Sequence, residues 1–165
     1  MDATGQTRRN PLRAAAISAE LVLTAAAIGN AATFANLKTW YAYLHKPAFT
    51  PPNWVFGPAW GTLYVLMAVA FWRILTLPDT ARNKRFAVTS FLVQLALNAS
   101  WSVVFFGMHS PAGALVVIAL MIVAIVATLI SFLRFDRPAA LCLVPYLAWV
   151  CFATALNAGV WSLNR

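Results

Sequence analysis

At 165 residues the chain is long enough for one domain, but 62% hydrophobic and 10% charged residues with a mean hydropathy of +0.75 exceed what a water-soluble globular chain carries. The net charge of +8 does not mark a nucleic-acid binder, because the basic residues sit at the ends of apolar segments and form no single patch. The composition implies an all-α membrane protein. A helix needs roughly 20 apolar residues to cross a bilayer, and five such segments occur, at about 14–35, 54–77, 86–107, 112–133 and 138–163. They fill most of the chain, so a bundle of five transmembrane helices in a single domain over 1–165 is expected.

Residues 1–13 are polar and basic, and the first apolar run follows from Ala14 to Ala35. A signal peptide would begin in the same way, but this run exceeds the usual ~7–15-residue apolar region and contains Glu20. Ala25, Gly29 and Thr33 recur every four residues, a small stripe that lets another helix approach closely. Glu20 lies ~9 Å beyond the start of the run at 1.5 Å per residue. It is either an intramembrane proton or cation site, or an interfacial partner of Arg13 or of a second-loop arginine.

Trp40 to Tyr64 reads WYAYLHKPAFTPPNWVFGPAWGTLY, with nine aromatic or histidine rings and four prolines in twenty-five residues. Pro51 and Pro52 suit the start of a helix, where no intrahelical N–H is required, and apolar residues follow them. The first half is expected to be non-helical, since Pro47, Pro51 and Pro52 bias their predecessors toward extended backbone. Trp40, His45, Lys46, Pro47, Pro51, Pro52 and Trp54 are therefore expected to form a lid over the mouth of the bundle.

The second helix runs on through Trp60, Tyr64 and Trp72 to Arg73, and TLPDTARNKR makes a short solvated turn. In the third, Gln94, Asn98 and Trp101 fall at i, i+4 and i+7 with Phe105 one turn further, so one face carries two amides and two rings. Amides in hydrocarbon need partners; interhelical hydrogen bonds and direct ligand contact both remain open for Gln94 and Asn98. His109 lies in the turn MHSP and reads as a solvated loop histidine. The fourth helix has no charge and no aromatic residue before Phe132, the pattern of a scaffold or lipid-facing helix.

In the fifth, Pro145 is expected to kink the helix. Trp149, Ala153, Leu156 and Asn157 lie on one stripe, where an indole beside an alanine notch makes a concavity. Trp40, Trp72 and Trp161 near span ends suit an interfacial belt, whereas Trp101 and Trp149 lie nearer mid-span. Cys142 and Cys151, nine residues apart on this helix, are about 180° and ~13 Å apart and cannot pair.

With five spans, Arg8, Arg9, Arg13, Arg73, Arg82, Lys84, Arg85, Arg134 and Arg137 share one side, and Lys38, Lys46 and Arg165 the other. The positive-inside rule then predicts a cytoplasmic N-terminus, with the first loop and the C-terminus on the opposite side. The chain has no dinucleotide, P-loop, zinc-protease, CxxC or Ser-His-Asp signature, so no catalytic residue and no metal ligand is assigned.

Three stretches, WYAYLHKPAFTPPNWVFGPAWGTLY, QLALNASWSVVFFG from Gln94 and PYLAWVCFATALN from Pro145, resemble the TspO/MBR family of tryptophan-rich sensory proteins and mitochondrial translocator proteins. The resemblance covers roughly residues 14–163. It implies a five-helix bundle, commonly homodimeric, with a pocket beneath the first loop that accepts porphyrins, haem and other hydrophobic small molecules as ligands; no obligatory cofactor is implied. On the family pattern Trp60, Tyr64, Asn98, Trp101, Trp149, Ala153 and Leu156 match pocket positions, and Phe105 joins them from the helix-three face. Trp60 and Trp149 match tryptophans associated in bacterial relatives with light- and oxygen-dependent protoporphyrin breakdown. Ala158 and Gly159 stand where the family's sterol-associated segment has an aromatic residue, which counts against sterol recognition. The short C-terminus and basic N-terminus resemble bacterial members.

The function expected is that of a membrane receptor or sensor for tetrapyrroles. Lys46 or His45 would meet ligand carboxylates at the mouth. The alternatives are a small proton-coupled transporter using Glu20 and a light-dependent porphyrin-degrading protein.

Overall fold

A computed structural model describes residues 10–78 and 83–165. Arg8, Arg9 and Arg82, which entered the charge count, lie outside the described residues. Among the described residues, five helical segments are long and apolar enough to cross a membrane, at Pro11–Leu37, Asn53–Leu75, Lys84–Gly107, Pro111–Leu133 and Arg137–Leu163. The protein is an integral membrane protein built as an all-helical bundle.

Helix α1 (Pro11–Leu37) starts where Asn10 accepts a hydrogen bond from the Leu12 N–H at 3.0 Å, with Pro11 in a position that needs no donor. Its buried stripe is Ala14, Ser18, Val22, Ala25, Ala26 and Gly29, small residues that bring its backbone against the neighbouring helices. The Ser18 hydroxyl donates to the Ala68 carbonyl at 2.7 Å, and the Trp72 indole N–H donates to the Pro11 carbonyl at 3.0 Å. A Cβ on Gly29 would stand 3.1 Å from the Ser102 Oγ. Glycine there sets how closely α1 approaches the end of the third span.

The first loop differs from its expected form. Trp40–Tyr43 makes a short helix, α2, because the first proline comes only at Pro47 and leaves these four residues free to coil. Helix α3 (Asn53–Leu75) follows Pro52 and carries Pro58 within its first turns. Its C-terminal end is capped from outside: the Lys84 ammonium, itself buried, donates to the carbonyl of Leu75, the last residue of the helix, at 3.3 Å, and to that of Leu77 just beyond it. Lys84 thus caps a helix end and does not stand free at the interface.

Helix α4 (Lys84–Ser102) runs directly into a π-helical turn at Val103–Gly107. Such a wide turn rotates the residues after it, and it turns both Phe105 and Phe106 inward. Helix α5 (Pro111–Leu133) is capped by the Ser110 Oγ on the Gly113 N–H at 3.2 Å. It buries Ala114, Ile118, Met121, Ile125 and Phe132 and leaves Val116, Leu120 and Val123 exposed. This is the scaffold expected from its lack of charge and of aromatic residues before Phe132.

The last span is two helices, not one kinked helix. Asp136 caps α6 (Arg137–Leu141) by accepting from the Ala139 N–H at 3.0 Å, and α7 (Val144–Leu163) begins after a break at Cys142 and Leu143. Pro145 therefore sits in the first turn of α7, where its missing N–H costs no hydrogen bond. Asp136 also pairs with Arg73 at 2.9 Å. Cys142 and Cys151 are both free.

Packing divides the bundle into two levels. Toward the N-terminal side, Phe91 stacks on Phe71 at 4.2 Å and on Phe132 at 5.9 Å, which locks α3, α4 and α5 into a solid core. Toward the first loop the helices diverge around a cavity.

Candidate ligand cavity

The cavity encloses about 380 Å³, within the range of small-molecule sites. Helix α1 contributes Gly29, Asn30, Thr33, Phe34 and Leu37; α3 contributes Trp54, Phe56, Gly57, Trp60, Gly61 and Tyr64. Trp101, Ser102, Phe105 and Phe106 come from the end of the third span, and Trp149, Ala153, Leu156, Asn157 and Val160 from α7. Tyr41 enters from α2. Of the eight residues expected to bind ligand, Trp60, Tyr64, Trp101, Phe105, Trp149, Ala153 and Leu156 are brought to this one cavity.

Asn98 is the exception. It is buried behind the wall, accepting from the Tyr64 hydroxyl and donating to the Tyr146 oxygen, each at 3.2 Å. Asn157, the last residue of the α7 stripe, does reach the cavity, as do the amides of Asn30 and Asn53. It accepts from the Trp101 indole at 3.1 Å and donates to the Pro111 carbonyl at 2.7 Å, tying α4 and α5 to α7. Gln94, the other amide of the helix-three face, is fully buried, and neither of its amide atoms has a hydrogen-bond partner among the described residues.

The expected lid is a docked cap. Only Trp54 of its seven residues lines the cavity; Trp40, His45, Lys46, Pro47, Pro51 and Pro52 do not. Trp40 stacks on His109 at 4.6 Å and meets Phe105 edge-on at 5.6 Å. His109 is exposed as expected, but it also lies 3.0 Å from the Asn36 Oδ1, so it fastens the cap to α1. The His45 backbone is clamped by the Asn164 side chain, which accepts from its N–H at 3.0 Å and donates to its carbonyl at 2.8 Å. Lys46 lies 4.7 Å over the Tyr41 ring and points its ammonium at the Ala42 and Leu44 carbonyls. Neither His45 nor Lys46 stands at the cavity.

The mouth is lateral. Phe34 (71% exposed) and Trp54 (75% exposed) flank a gap between α1 and α3, with Asn30, Gly57 and Gly61 also exposed along it. A Cβ on Gly57 or Gly61 would meet nothing within 4 Å. Among the described residues, no lysine, arginine, histidine or carboxylate lines the cavity. The indole N–H groups of Trp60 and Trp149 have no acceptor among the described residues. Glu20 is exposed on α1, pairs with no described residue and lies outside the cavity. The site is therefore an aromatic chamber with free donors and no fixed charge, open toward the side of the bundle.

Phe56, not expected here, meets Trp149 edge-on at 5.9 Å. It lies one turn before Trp60 on α3, a spacing that would have found it. Tyr41 had no such signal, since the loop's path over the bundle is a tertiary matter.

The family model of the TspO/MBR family matches residues 18–162, which includes every wall of this cavity. The chain belongs to the TspO/MBR family. Similar family members include a tryptophan-rich protein TspO of Archaeoglobus fulgidus, 39% identical over 87% of this chain and 94% of its own length. A tryptophan-rich sensory protein of Cereibacter sphaeroides is 40% identical over 87% of this chain and 90% of its own. The human translocator protein is 40% identical over 76% of this chain and 75% of its own. The printed names of these relatives record richness in tryptophan, sensing and translocation.

Proposed function

We propose that this chain is a membrane receptor or sensor that binds porphyrins, haem or similar flat hydrophobic molecules in the α1–α3–α4–α7 chamber. The observation that carries the reading is that Trp60 and Trp149, distant in sequence, line one uncharged cavity of about 380 Å³. Aromatic faces favour a planar apolar ligand, and the absence of a charged lining disfavours a buried carboxylate. The carboxylates of a porphyrin would then lie at the lateral gap between α1 and α3. The exposure of Glu20 on α1, away from the chamber, favours binding over transport coupled through that acid.

The described basic residues support a cytoplasmic N-terminus: Arg13, Arg73, Lys84, Arg85, Arg134 and Arg137 lie on that side, against Lys38, Lys46 and Arg165 on the other. A bacterial source and a homodimeric assembly complete the reading. The test is titration with protoporphyrin followed by tryptophan quenching. Each aromatic contact contributes about 0.5–1.5 kcal/mol beyond its buried area, so the Trp60→Phe, Trp149→Phe double variant is expected to bind roughly tenfold more weakly. Unchanged affinity would remove both residues from the site.

A further inference from the structure

Behind the chamber wall a hydrogen-bonded chain joins four helices. The Tyr64 hydroxyl on α3 donates to Asn98 Oδ1 on α4, Asn98 Nδ2 donates to the Tyr146 oxygen on α7, and the Tyr146 hydroxyl donates to Met121 Sδ on α5 at 3.4 Å. Tyr146 is completely buried and does not line the cavity. It nevertheless touches the chamber's aromatic wall in two ways. Through Asn98 it orients Tyr64, on which Trp60 stacks at 5.5 Å and 29°; directly, its ring meets the Trp60 ring edge-on at 6.4 Å and 62°.

We propose that Tyr146 is a positioning residue for the ligand site, holding Trp60 and Tyr64 in the orientation that a flat ligand stacks against. The inference rests on the binding reading above and adds a residue outside the cavity to its specificity. The chain has a direction. The Asn98 amide presents its oxygen to a phenol that donates and its nitrogen to a phenol that accepts, because the proton of Tyr146 is directed at Met121. Turning the amide over would face Asn98 Nδ2 with the Tyr64 proton and Asn98 Oδ1 with an oxygen whose proton points elsewhere. The arrangement therefore admits one setting of Tyr64, and Trp60 is confined between the face of Tyr64 and the edge of Tyr146. Loss of the Tyr146 hydroxyl leaves a buried Asn98 donor unpaired, and the amide can regain a partner only by turning away from Tyr64.

Tyr146→Phe keeps the ring edge against Trp60 and deletes only the hydroxyl. Protoporphyrin affinity is expected to fall about five- to tenfold, the effect of roughly one hydrogen bond, together with a change in the near-ultraviolet circular dichroism of the ligand-free protein. Tyr64→Phe, which deletes the opposite end of the chain but keeps the ring in the wall, should produce the same two changes. The double variant should be no weaker than either single one, because both act through Asn98. Wild-type affinity in Tyr146→Phe, alongside weakened binding in the Trp60→Phe, Trp149→Phe variant, would overturn the positioning role and leave the binding site standing. Fully additive losses would also overturn it. Should Tyr146→Phe fail to fold, Tyr64→Phe carries the test, and unchanged affinity and dichroism there refute the coupling.

Discussion

Gly159 on α7 and Pro47 in the first loop occupy each other's space: a Cβ built on Gly159 overlaps the Pro47 ring, with Pro47 Cβ 3.3 Å away. Gly159 is thus the seat of the first-loop cap. Its small size is explained by the buried proline above it. Gly159→Ala is expected to lift the loop and cost about 1–3 kcal/mol, the range of overpacking in a filled site. Thermal melting in detergent measures the cost, and faster proteolysis around Leu44 to Thr50 reports the lifted loop. A variant with unchanged melting and unchanged cleavage would show that the loop is not seated there.

The same cap is pinned by Asn164, whose amide bonds both backbone groups of His45 as well as the Val160 carbonyl at 2.7 Å. Asn164→Ala should release the His45 N–H. Hydrogen exchange at that amide is expected to speed up roughly tenfold, corresponding to about 1 kcal/mol for an exposed pair of bonds, while amides in the Phe71, Phe91 and Phe132 core should keep their protection.

Alkaline pH probes the cap from a different direction. Burial pushes the Tyr41 hydroxyl above its ordinary value of 10. The folded form holds that proton more tightly than the unfolded form, so its contribution to stability is complete below pH ~10 and is lost as pH rises through the raised folded value. Tyr41→Phe removes this loss. Melting curves on either side of pH ~10 should converge less steeply in the variant than in the parent, and identical alkaline slopes would contradict the burial of this hydroxyl.

Gln94 offers a stabilising change. Its fully buried amide has no partner among the described residues, so Gln94→Met, which keeps the volume and removes the polar atoms, should raise stability by about 1–2 kcal/mol. Detergent melting measures the gain. A loss of stability would mean that the amide has a partner in the membrane-embedded protein.

Much of the site was legible because a helix's period sets which residues share a face. Trp60 with Tyr64, Trp101 with Phe105, and Trp149 with Ala153 and Leu156 each belong to one stripe, and each stripe faces the chamber. The same period could not separate Asn98 from Asn157. Both lie on inward stripes, yet Asn98 is taken by Tyr64 and Tyr146 from two other helices while Asn157 reaches the cavity. The loop was legible only in kind. Its prolines and rings marked a cap, but its anchors, Gly159, Asn164 and His109, come from remote parts of the chain.

By itself the sequence determined the membrane class, the five spans and the aromatic character of the interior, since hydrocarbon requires about 20 apolar residues per helical crossing. Tertiary structure alone decided the lateral mouth between α1 and α3, the break before Pro145 and the placement of Tyr146 behind Trp60. Periodicity sets an angle around a helix axis. The distance to the next helix depends on which small residues let the backbones approach, and that is resolved only when Gly29 meets Ser102 and Gly159 meets Pro47.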